Sequence, residues 1–363
     1  MSVIDIPVQS TRPRANYSIL IGDRLLATLG PMLARLGPKL RVILVSSPRI
    51  WALHGKQFRA ALPKAPHILV PDGERAKRLA TVSKLYDQLV AARADRQTIL
   101  MVVGGGVLGD LAGFAAASFL RGIPLVHVPT TVVAQVDSAI GGKVGVNHPL
   151  GKNLIGAFYP PMAVLSDPSL LRTLSPREFR AGLYEVIKYG VIESPKLFEQ
   201  LERRLDAVVG RDSATLVQMV AECTRIKARV VTVDELETGE RRILNFGHTL
   251  GHALEAITNY RRFRHGEAVG WGMLAAAHLA RARGALSEEA TQRLQTLIDR
   301  LGALPRVDDL SAATCVAATG RDKKVIAGTL HFVLPVAIGK TEIVKDVTRQ
   351  ELTRALRQIG LAR

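Results

Sequence analysis

The chain has 363 residues, which is long for a single hydrophobic core, so we expect two domains. With 47% hydrophobic and 22% charged residues, the composition is that of a globular protein rather than a disordered one. The net charge is +17, but the basic residues are scattered and only 5% of residues are aromatic, which argues against nucleic-acid binding.

Cysteine is scarce, and the two cysteines present, Cys223 and Cys315, lie too far apart to suggest a disulfide framework. The N-terminus lacks a basic segment followed by an apolar run, so we expect no signal peptide. No apolar stretch is long enough and free enough of charge to span a bilayer. We therefore expect a soluble cytoplasmic protein that binds neither nucleic acid nor membrane.

Apolar, β-rich runs alternate with helical patterns in the first half of the chain. Strands are predicted at residues 3–8, 17–21, 41–45, 67–70, 98–103 and 125–128. Helices are predicted between them at residues 22–36, 76–92 and 111–119. Continuous apolar strands separated by helices indicate a parallel sheet that is covered on both faces, and ligands of such sheets lie outside the carboxyl ends of the strands.

The second half of the chain has almost no strand signal. Helical patterns fill residues 176–190, 196–209, 214–231, 242–258, 266–283, 288–301 and 350–359, and one short hairpin is predicted near residues 324–335. The fold class predicted is an α/β, Rossmann-like parallel-sheet domain over residues 1–167, followed by an all-α domain over residues 168–363. We expect a cleft between the two domains.

A glycine-rich turn follows the strand predicted at residues 98–103. Gly104, Gly106 and Gly109 match the G-x-G-x-x-G spacing, in which glycines let the backbone approach a pyrophosphate at a helix N-terminus. No acidic residue follows about twenty positions downstream, so the spacing alone fits an ordinary strand-to-helix turn as well. Neighbouring loops favour a dinucleotide, because residues 71–77 carry an acid and a base and Thr130 and Thr131 carry hydroxyls.

Residues 137–153 form another glycine-rich run, which carries two lysines. Its backbone N–H groups, together with Lys143, Lys152 and Asn153, would suit a phosphate group. The run is not a Walker A loop, because Ser or Thr does not follow the Gly-Lys pair in the required frame. The alternative is a flexible surface loop with solvated lysines.

Three of the nine histidines, His248, His252 and His265, fall within one short span. His248 and His252 are four apart and share one face of a predicted helix. A catalytic zinc ion needs three protein ligands and an open position, and Glu185 offers a carboxylate on an amphipathic helix that also carries Lys188. The spacing does not say whether His252 is a metal ligand or a base.

Taken together, these stretches resemble the 3-dehydroquinate synthase family of sugar phosphate cyclases over nearly the whole chain. The segments that carry the resemblance are residues 71–74, 104–110, 129–131, 135–138, 141–143, 151–153, 245–252, 265–267 and 322–324. One departure concerns Ser46 and Ser47, which stand where an acidic or amide residue of the family often meets the adenosine ribose.

The resemblance implies the conversion of 3-deoxy-D-arabino-heptulosonate 7-phosphate into 3-dehydroquinate and phosphate. It also implies NAD⁺, a zinc or cobalt ion and a homodimer. The nearest alternative is a sister cyclase, such as 2-deoxy-scyllo-inosose synthase or a valiolone-type cyclase, which takes another substrate. Lys227 and Arg241 favour the first reading, because they would bind a substrate carboxylate.

The resemblance implies roles for individual residues as well. Glu185, His248 and His265 would bind the metal, and His252 would accept the proton of the substrate hydroxyl that is oxidised. The residues expected around the phosphate are Lys143, Lys152, Asn153, Lys188, Asn245 and Arg121, with Arg121 coming from the partner subunit. The remaining pocket residues would be Lys227, Arg241, Asp137, Glu237 and either Lys323 or Lys324. The residues expected to bind NAD⁺ are Asp72, Gly73, Glu74, Lys77, Gly104, Gly105, Gly106, Val107, Gly109, Asp110, Thr130, Thr131, Lys143 and Lys152.

Overall fold

The computed structural model describes residues 4–8, 16–36, 41–319, 325–326 and 329–362. The strands are β1 Ile4–Val8, β2 Tyr17–Ile21, β3 Arg41–Ser46, β4 His67–Leu69, β5 Thr98–Gly104, β6 Leu125–Pro129, β7 Lys143–His148, β8 Gly151–Phe158, β9 Ala163–Ser166, β10 Val325–Ile326, β11 Thr329–Leu330, β12 Phe332–Ala337 and β13 Lys340–Val344. The helices are α1 Leu29–Leu36, α2 Pro48–Ala61, α3 Leu79–Ala91, α4 Gly106–Ser118, α5 Pro176–Ile192, α6 Pro195–Val209, α7 Ser213–Val233, α8 His248–Ile257, α9 His265–Ala282, α10 Glu288–Arg300, α11 Ala312–Thr319 and α12 Arg349–Gln358.

The chain forms two compact units. The first contains Met1–Leu174 and Ser213–Leu236, and the second contains Ser175–Asp212 and Glu237–Arg363. Helix α7 therefore belongs to the first unit, where it packs against β1, although it lies in the second half of the chain. The division into domains at residues 167 and 168 stays a prediction.

The first unit is built on a seven-stranded sheet of order β1-β2-β9-β6-β5-β3-β4. All neighbouring strands pair in parallel except β1 with β2. Successive side chains of β5 point to opposite faces of the sheet and belong to two hydrophobic cores. Val102 belongs to the core with Leu85 of α3 and Leu111 of α4, and Met101 belongs to the core with Phe58 of α2. This is the predicted parallel sheet covered by helices on both faces, so the fold class is confirmed.

The first unit also contains elements that were not predicted, namely α2, β9 and a hairpin in the glycine-rich run. No strand was predicted in the glycine-rich run at residues 137–153, but most of it belongs to the antiparallel hairpin β7–β8. Gly145 of β7 and Gly156 of β8 allow the two strands to approach each other closely. A Cβ added at Gly145 would lie 2.5 Å from the carbonyl oxygen of Ile155. Glycine is therefore needed at Gly145 for close packing of two backbones rather than for flexibility.

The second unit is mainly helical, as predicted. Glycines bring its central helices into close contact, because a Cβ at Gly266 of α9 would lie 1.8 Å from the carbonyl oxygen of Ala181 in α5. The predicted hairpin is present as β10–β11, although the turn residues 327 and 328 lie outside the described part. A second hairpin, β12–β13, and helix α11 were not predicted. Among the described residues, no helix is both long and apolar enough to cross a membrane.

Candidate active site

Three elements of the second unit bring a carboxylate and two imidazoles together. Glu185 lies in the middle of α5, while His248 and His265 are the first residues of α8 and α9. The Nε2 atoms of His248 and His265 lie 3.5 and 3.4 Å from Oε1 of Glu185. One ligand atom from each of the three residues lies within 4.8 Å of the other two, which suits a single metal ion.

The local sequence explains how the two histidines reach this position. Gly247 precedes α8 with a φ of 76°, a conformation that glycine adopts without strain, and a Cβ there would lie 2.8 Å from the carbonyl oxygen of Val269. The start of α9 is fixed by Glu267, whose carboxylate accepts a hydrogen bond from the backbone N–H of Arg264 and pairs with Arg177 through both oxygens. The helix starts are therefore well defined.

Glu185 is completely buried, and its two carboxylate oxygens accept no hydrogen bond of good geometry from the described residues. The Lys188 ammonium lies 2.6 Å from Oε2 as an ion pair. Burial by itself would raise the pKa of this carboxyl, but Lys188 and the two histidines hold the pKa below its ordinary value. A buried, ionised carboxylate that faces two imidazoles is suited to a metal ion.

Each histidine of this cluster has a hydrogen-bond partner on its other ring nitrogen. Nδ1 of His248 lies 3.1 Å from the carbonyl oxygen of Phe246, and Nδ1 of His265 lies 3.1 Å from Oε2 of Glu255. Such partners leave the Nε2 lone pair available for a metal. Burial would lower the pKa of His265, but the Glu185 and Glu255 carboxylates raise it above its ordinary value. A metal ion would therefore have to displace a proton from His265.

His252 lies one turn beyond His248, with ring centroids 5.5 Å apart. Together with Glu255 and His265 it forms a second group whose ligand atoms also lie within 4.8 Å of one another. The two groups share His265, whose Nε2 faces Glu185 and whose Nδ1 faces Glu255. The geometry thus places His252 beside the Glu185 group rather than within it.

The other predicted residues of the second unit lie on the same elements or on the segment before α8. Arg241 is 1% exposed, and Nδ2 of Asn245 donates a hydrogen bond to Oε1 of Glu237 at 2.9 Å. Lys323 and Lys324 lie outside the described residues. The second unit therefore contains the predicted metal ligands together with the cations Lys188 and Arg241.

In the first unit, the glycine turn lies between β5 and α4. The backbone N–H groups at the start of α4 receive no side-chain cap, since Gly105 is the N-cap residue. A small cavity beside the turn is lined by Gly104, Gly105, Gly106, Gly109, His127, Pro129, Ala134, Ser138 and Ala139. A Cβ at Gly106 would lie 2.8 Å from Oγ of Ser138, so a larger residue there would have to displace the Ser138 side chain. A helix start without a side-chain cap, beside a cavity, suits a pyrophosphate.

Neighbouring strands end at the same edge of the sheet. Thr130 follows β6 and donates its N–H to the carbonyl oxygen of Gly104, and Oγ1 of Thr131 accepts from the N–H of Ala134. Beyond β4, Oδ2 of Asp72 lies 3.2 Å from Oγ of Ser47, which follows β3. A carboxylate is therefore present beside Ser47, although the sequence lacks one at the end of β3.

Lys77 lies at the centre of a polar network in the first unit. Its side chain is 4% exposed, and Nζ lies 2.5 Å from both Oδ2 of Asp110 and Oδ1 of Asn153. Burial raises the pKa of the Asp110 carboxyl to about 6, although Lys77 opposes this effect. The network joins a residue predicted for NAD⁺ to one predicted for phosphate.

Two more predicted residues of the first unit form an ion pair, and a third lies apart. Nζ of Lys227 on α7 lies 2.6 Å from Oδ1 of Asp137, which is part of the π-helical turn Ala134–Ser138. Arg121 follows the far end of α4, about 20 Å along that helix from the glycine turn. Arg121 and the glycine turn therefore lie at opposite ends of α4.

Three polar residues near these groups were assigned no role from the sequence. Glu255 is bonded to His265, Asn147 to Glu74 at 2.7 Å, and Ser47 to Asp72. Glu255 was the easiest of them to find, because it follows His252 by three positions and so lies on a neighbouring part of the same helix. Asn147 and Ser47 act through contacts that depend on the hairpin and on the order of the strands.

Comparison with known proteins covers almost the whole chain. The family described as 3-dehydroquinate synthase N-terminal matches residues 67–181, and the one described as 3-dehydroquinate synthase C-terminal matches residues 182–325. The 3-dehydroquinate synthase of Crocosphaera subtropica is 44% identical in an alignment of 363 positions, which covers 98% of this chain and 99% of that protein. Both matches agree with the resemblance found in the motifs.

Two solved structures of sugar phosphate cyclases are similar as well. The 2-epi-5-epi-valiolone synthase of Streptomyces hygroscopicus subsp. jinggangensis 5008, with NAD⁺ and Zn²⁺ bound, is 30% identical with a TM-score of 0.88, over 97% of this chain and 98% of that one. A 2-deoxy-scyllo-inosose synthase complexed with carbaglucose-6-phosphate, NAD⁺ and Co²⁺ is 27% identical with a TM-score of 0.84, over 98% and 99%. By sequence and by fold, the chain belongs to the 3-dehydroquinate synthase family.

Proposed function

We propose that this chain is a 3-dehydroquinate synthase. It converts 3-deoxy-D-arabino-heptulosonate 7-phosphate into 3-dehydroquinate and phosphate, using NAD⁺ and a zinc or cobalt ion. The observation that carries the proposal is the convergence of Glu185, His248 and His265 from three elements, in a chain 44% identical to a curated synthase over almost its full length. Three protein ligands leave a position open for substrate, as catalytic metal sites require.

When bound, the metal ion polarises the substrate hydroxyls and the nucleotide takes up a hydride that it later returns. The chain's own residues position the substrate and move its protons. We assign His252 as the base that accepts the proton of the hydroxyl being oxidised, because its ring lies 5.5 Å from that of His248. The buried Lys188 keeps Glu185 ionised, as a metal ligand must be.

The substrate's phosphate and carboxylate account for the buried cations. We assign Lys143, Lys152 and Asn153 of the first unit, and Lys188 and Asn245 of the second, to the phosphate. Lys227 and Arg241 are assigned to the carboxylate, with Asp137, Glu237 and Lys323 or Lys324 as further pocket residues. Lys227 is 6% and Arg241 1% exposed, and buried cations of this kind are stabilised by an anionic partner.

The glycine turn is assigned to the pyrophosphate of the dinucleotide. Its support is the uncapped start of α4 and the narrow space at Gly106, where a Cβ would crowd Oγ of Ser138. Asp72, held beside Ser47, is assigned to a ribose hydroxyl. Lys77 and Asp110, with Thr130 and Thr131 of the next loop, complete this group.

The test is phosphate release from 3-deoxy-D-arabino-heptulosonate 7-phosphate in the presence of NAD⁺. Release is expected to stop after treatment with a chelator and to return with zinc, while no net NADH accumulates because the hydride is returned in each turnover. Net NADH formed in step with product would instead indicate a dehydrogenase and would contradict the proposal.

A sister cyclase is the alternative, since both solved relatives act as such enzymes by name. The discriminating comparison is between the sugar acid phosphate and the same sugar phosphate without its carboxylate. Replacing Arg241 by Ala is expected to raise KM for the acid at least tenfold, because the carboxylate loses a charge-assisted partner. Turnover of the carboxylate-free compound with no turnover of the acid would identify a sister cyclase.

We also propose a homodimer. The first unit exposes Leu120, Leu150, Leu154 and Phe158, with Leu150 87% exposed, and Leu154 and Phe158 both lie on β8. Exposed apolar side chains on one hairpin indicate a protein interface. A partner bound there would also give a role to Arg121, which lies at the opposite end of α4 from the glycine turn. Light scattering of the purified protein tests the assembly, and a monomeric mass with full activity would exclude it.

The cytoplasm is the proposed location. Cys223 and Cys315 are both buried, and neither forms a disulfide in the described part of the chain, as expected of thiols in a reducing compartment. Burial raises the pKa of the Cys315 thiol to about 12, so this thiol resists oxidation. Fractionation of cells that produce the protein would test the location.

A further inference from the structure

A closed ring of polar contacts joins two segments of the first unit that lie far apart in sequence. Nδ2 of Asn147, at the end of β7, donates to Oε1 of Glu74 at 2.7 Å. Oδ1 of the same side chain accepts the backbone N–H of Asn153 at 2.9 Å. The backbone N–H of Asn147 donates to the carbonyl oxygen of Lys77 at 2.8 Å. A single asparagine therefore holds both the loop after β4 and the start of β8.

The ring is completed by Lys77 and Asn153. Asn153 has a φ of 52°, a left-handed conformation that needs support from its surroundings, and its N–H bond to Asn147 supplies that support. In this conformation Oδ1 of Asn153 accepts from Lys77, whose ammonium also contacts Asp110 at the start of α4. A shift of Asn153 would therefore move the Lys77 ammonium and change its contact with Asp110.

We propose that Asn147 is a positioning residue that makes dinucleotide binding and phosphate binding depend on each other. The inference rests on the proposed function, in which Glu74, Lys77 and Asp110 bind the nucleotide and Lys152 and Asn153 bind the phosphate. Asn147 lies between these two groups. It has only uncharged polar atoms, and three of them are already used within the ring, so its role is to hold other residues in place.

The coupling is expected to be favourable. Both ligands use the same arrangement of Lys77 and Asn153, so the ligand that binds first bears the entropy cost of ordering it and the second does not. Coupling between two sites is reciprocal and commonly amounts to about 5- to 150-fold in affinity. Without Asn147, Asn153 loses the bond that holds its backbone, and the two ligands should bind independently.

The experiment measures the dissociation constant of NAD⁺ by calorimetry, with and without a saturating concentration of inorganic phosphate. For the natural chain, phosphate is expected to tighten NAD⁺ binding at least about fivefold. The variant Asn147→Ala removes both side-chain bonds of Asn147, the one to Glu74 and the one to the backbone of Asn153. Asn147→Asp keeps the acceptor for Asn153 but places a carboxylate against that of Glu74. In both variants the ratio of the two dissociation constants is expected to fall towards one.

A matched control is Tyr86→Phe, which removes another side-chain bond of the first unit, from Tyr86 to Ser118, outside the ring. The ratio of the NAD⁺ dissociation constants measured without and with phosphate should be the same for Tyr86→Phe as for the natural chain. The proposal is overturned if both Asn147 variants keep the natural ratio of the two dissociation constants. This includes the case in which they weaken NAD⁺ binding equally with and without phosphate, as a merely structural role would. Failure of the natural chain to bind NAD⁺ at all would overturn the proposed function itself, whereas NAD⁺ binding that phosphate does not affect would overturn only this inference.

Discussion

The two histidines assigned to the metal have different hydrogen-bond partners, and this difference has an energetic consequence. His248 is bonded to the carbonyl of Phe246, a neutral group, while His265 is bonded to the carboxylate of Glu255. An anionic partner makes the imidazole a stronger donor to a metal and fixes its orientation. The Glu255 side chain is 8% exposed, so solvent screens this interaction little.

Replacing Glu255 by Gln is therefore expected to weaken zinc binding by about 10- to 100-fold. Gln retains a hydrogen-bonding group of the same shape, so the loss reports the charge rather than the packing. Competition with a zinc-binding dye measures the affinity, and the absorption spectrum of the cobalt-loaded protein reports the ligand geometry. Glu202→Gln is the control, because Glu202 pairs with Arg293 on the surface of the same unit, away from the histidines. Equal zinc affinity of the Glu255 variant and the natural chain would contradict the expectation.

The division of roles among the histidines gives a second prediction. His248→Ala removes a ligand, so the purified variant should contain little zinc. His252→Ala should retain zinc but lose activity by about 10²- to 10⁴-fold, which is the usual contribution of a positioned acid–base group. Metal analysis and a phosphate-release assay on the same preparations provide the two readouts. Similar loss of zinc in both variants would place His252 among the ligands.

At the scale of elements, the contact between α5 and α9 determines how close Glu185 and His265 can come. Gly266 directly follows His265, and any side chain at this position would strike the backbone of Ala181. Gly266→Ala is therefore expected to push the helices apart, to destabilise the protein by about 1–3 kcal/mol and to reduce zinc affinity. Chemical unfolding and metal binding measure the two effects.

The control for this substitution is Gly30→Ala in α1. A Cβ at Gly30 has only the carbonyl oxygen of Ala61 within reach, at 3.8 Å, which is ordinary van der Waals contact. Alanine in a helix is favoured over glycine by about 1 kcal/mol, so this variant should be at least as stable as the natural chain. If Gly266→Ala behaved like Gly30→Ala, the close approach of α5 and α9 would not limit the site.

Strand β6 carries a histidine that makes the stability of the first unit depend on pH. Burial lowers the pKa of His127 to about 4, and its side chain is 5% exposed. Between the ordinary pKa of 6.5 and this value, the unfolded chain binds the proton and the folded chain does not. Above pH 6.5 the buried, neutral His127 does not lower the free energy of unfolding. As the pH falls from 6.5 towards 4, the free energy of unfolding decreases by about 1.4 kcal/mol per pH unit.

His127→Gln should remove this dependence. The difference in unfolding free energy between the natural chain and the variant, measured at several pH values, is expected to change across the window from pH 6.5 to 4 and to be constant above it. His148→Gln serves as the comparison, because His148 is an exposed histidine at the end of β7. If the unfolding free energy changed equally with pH in the natural chain and in both variants, His127 would be protonated in the folded protein without a loss of stability.

For the molecule as a whole, the sequence predicted what depends on local pattern. The alternation of apolar strands and helices predicted the parallel sheet, and the spacing of His248, His252 and His265 predicted that these side chains lie close together. The hairpin β7–β8 was missed because its glycines look like loop residues until they face another backbone. Asn147 and Ser47 could not be assigned, since their partners come from distant segments that meet only when the strand order and hairpin register are known.

The net charge of +17 acts on the whole molecule and gives the last prediction. A substrate that carries a phosphate and a carboxylate is attracted by this field before it reaches any specific contact, which raises the rate of encounter. The Debye length falls from about 30 Å at 0.01 M salt to about 8 Å at 0.15 M, so salt screens the attraction beyond the nearest charges. We therefore expect kcat/KM to fall several-fold over this range while kcat changes little, because the bound substrate is held by buried cations such as Arg241. Steady-state kinetics at a series of salt concentrations measures both, with sucrose added to match viscosity. A fall in kcat equal to that in kcat/KM would mean that salt disturbs the site itself, and the net charge would then have no separate role in substrate capture.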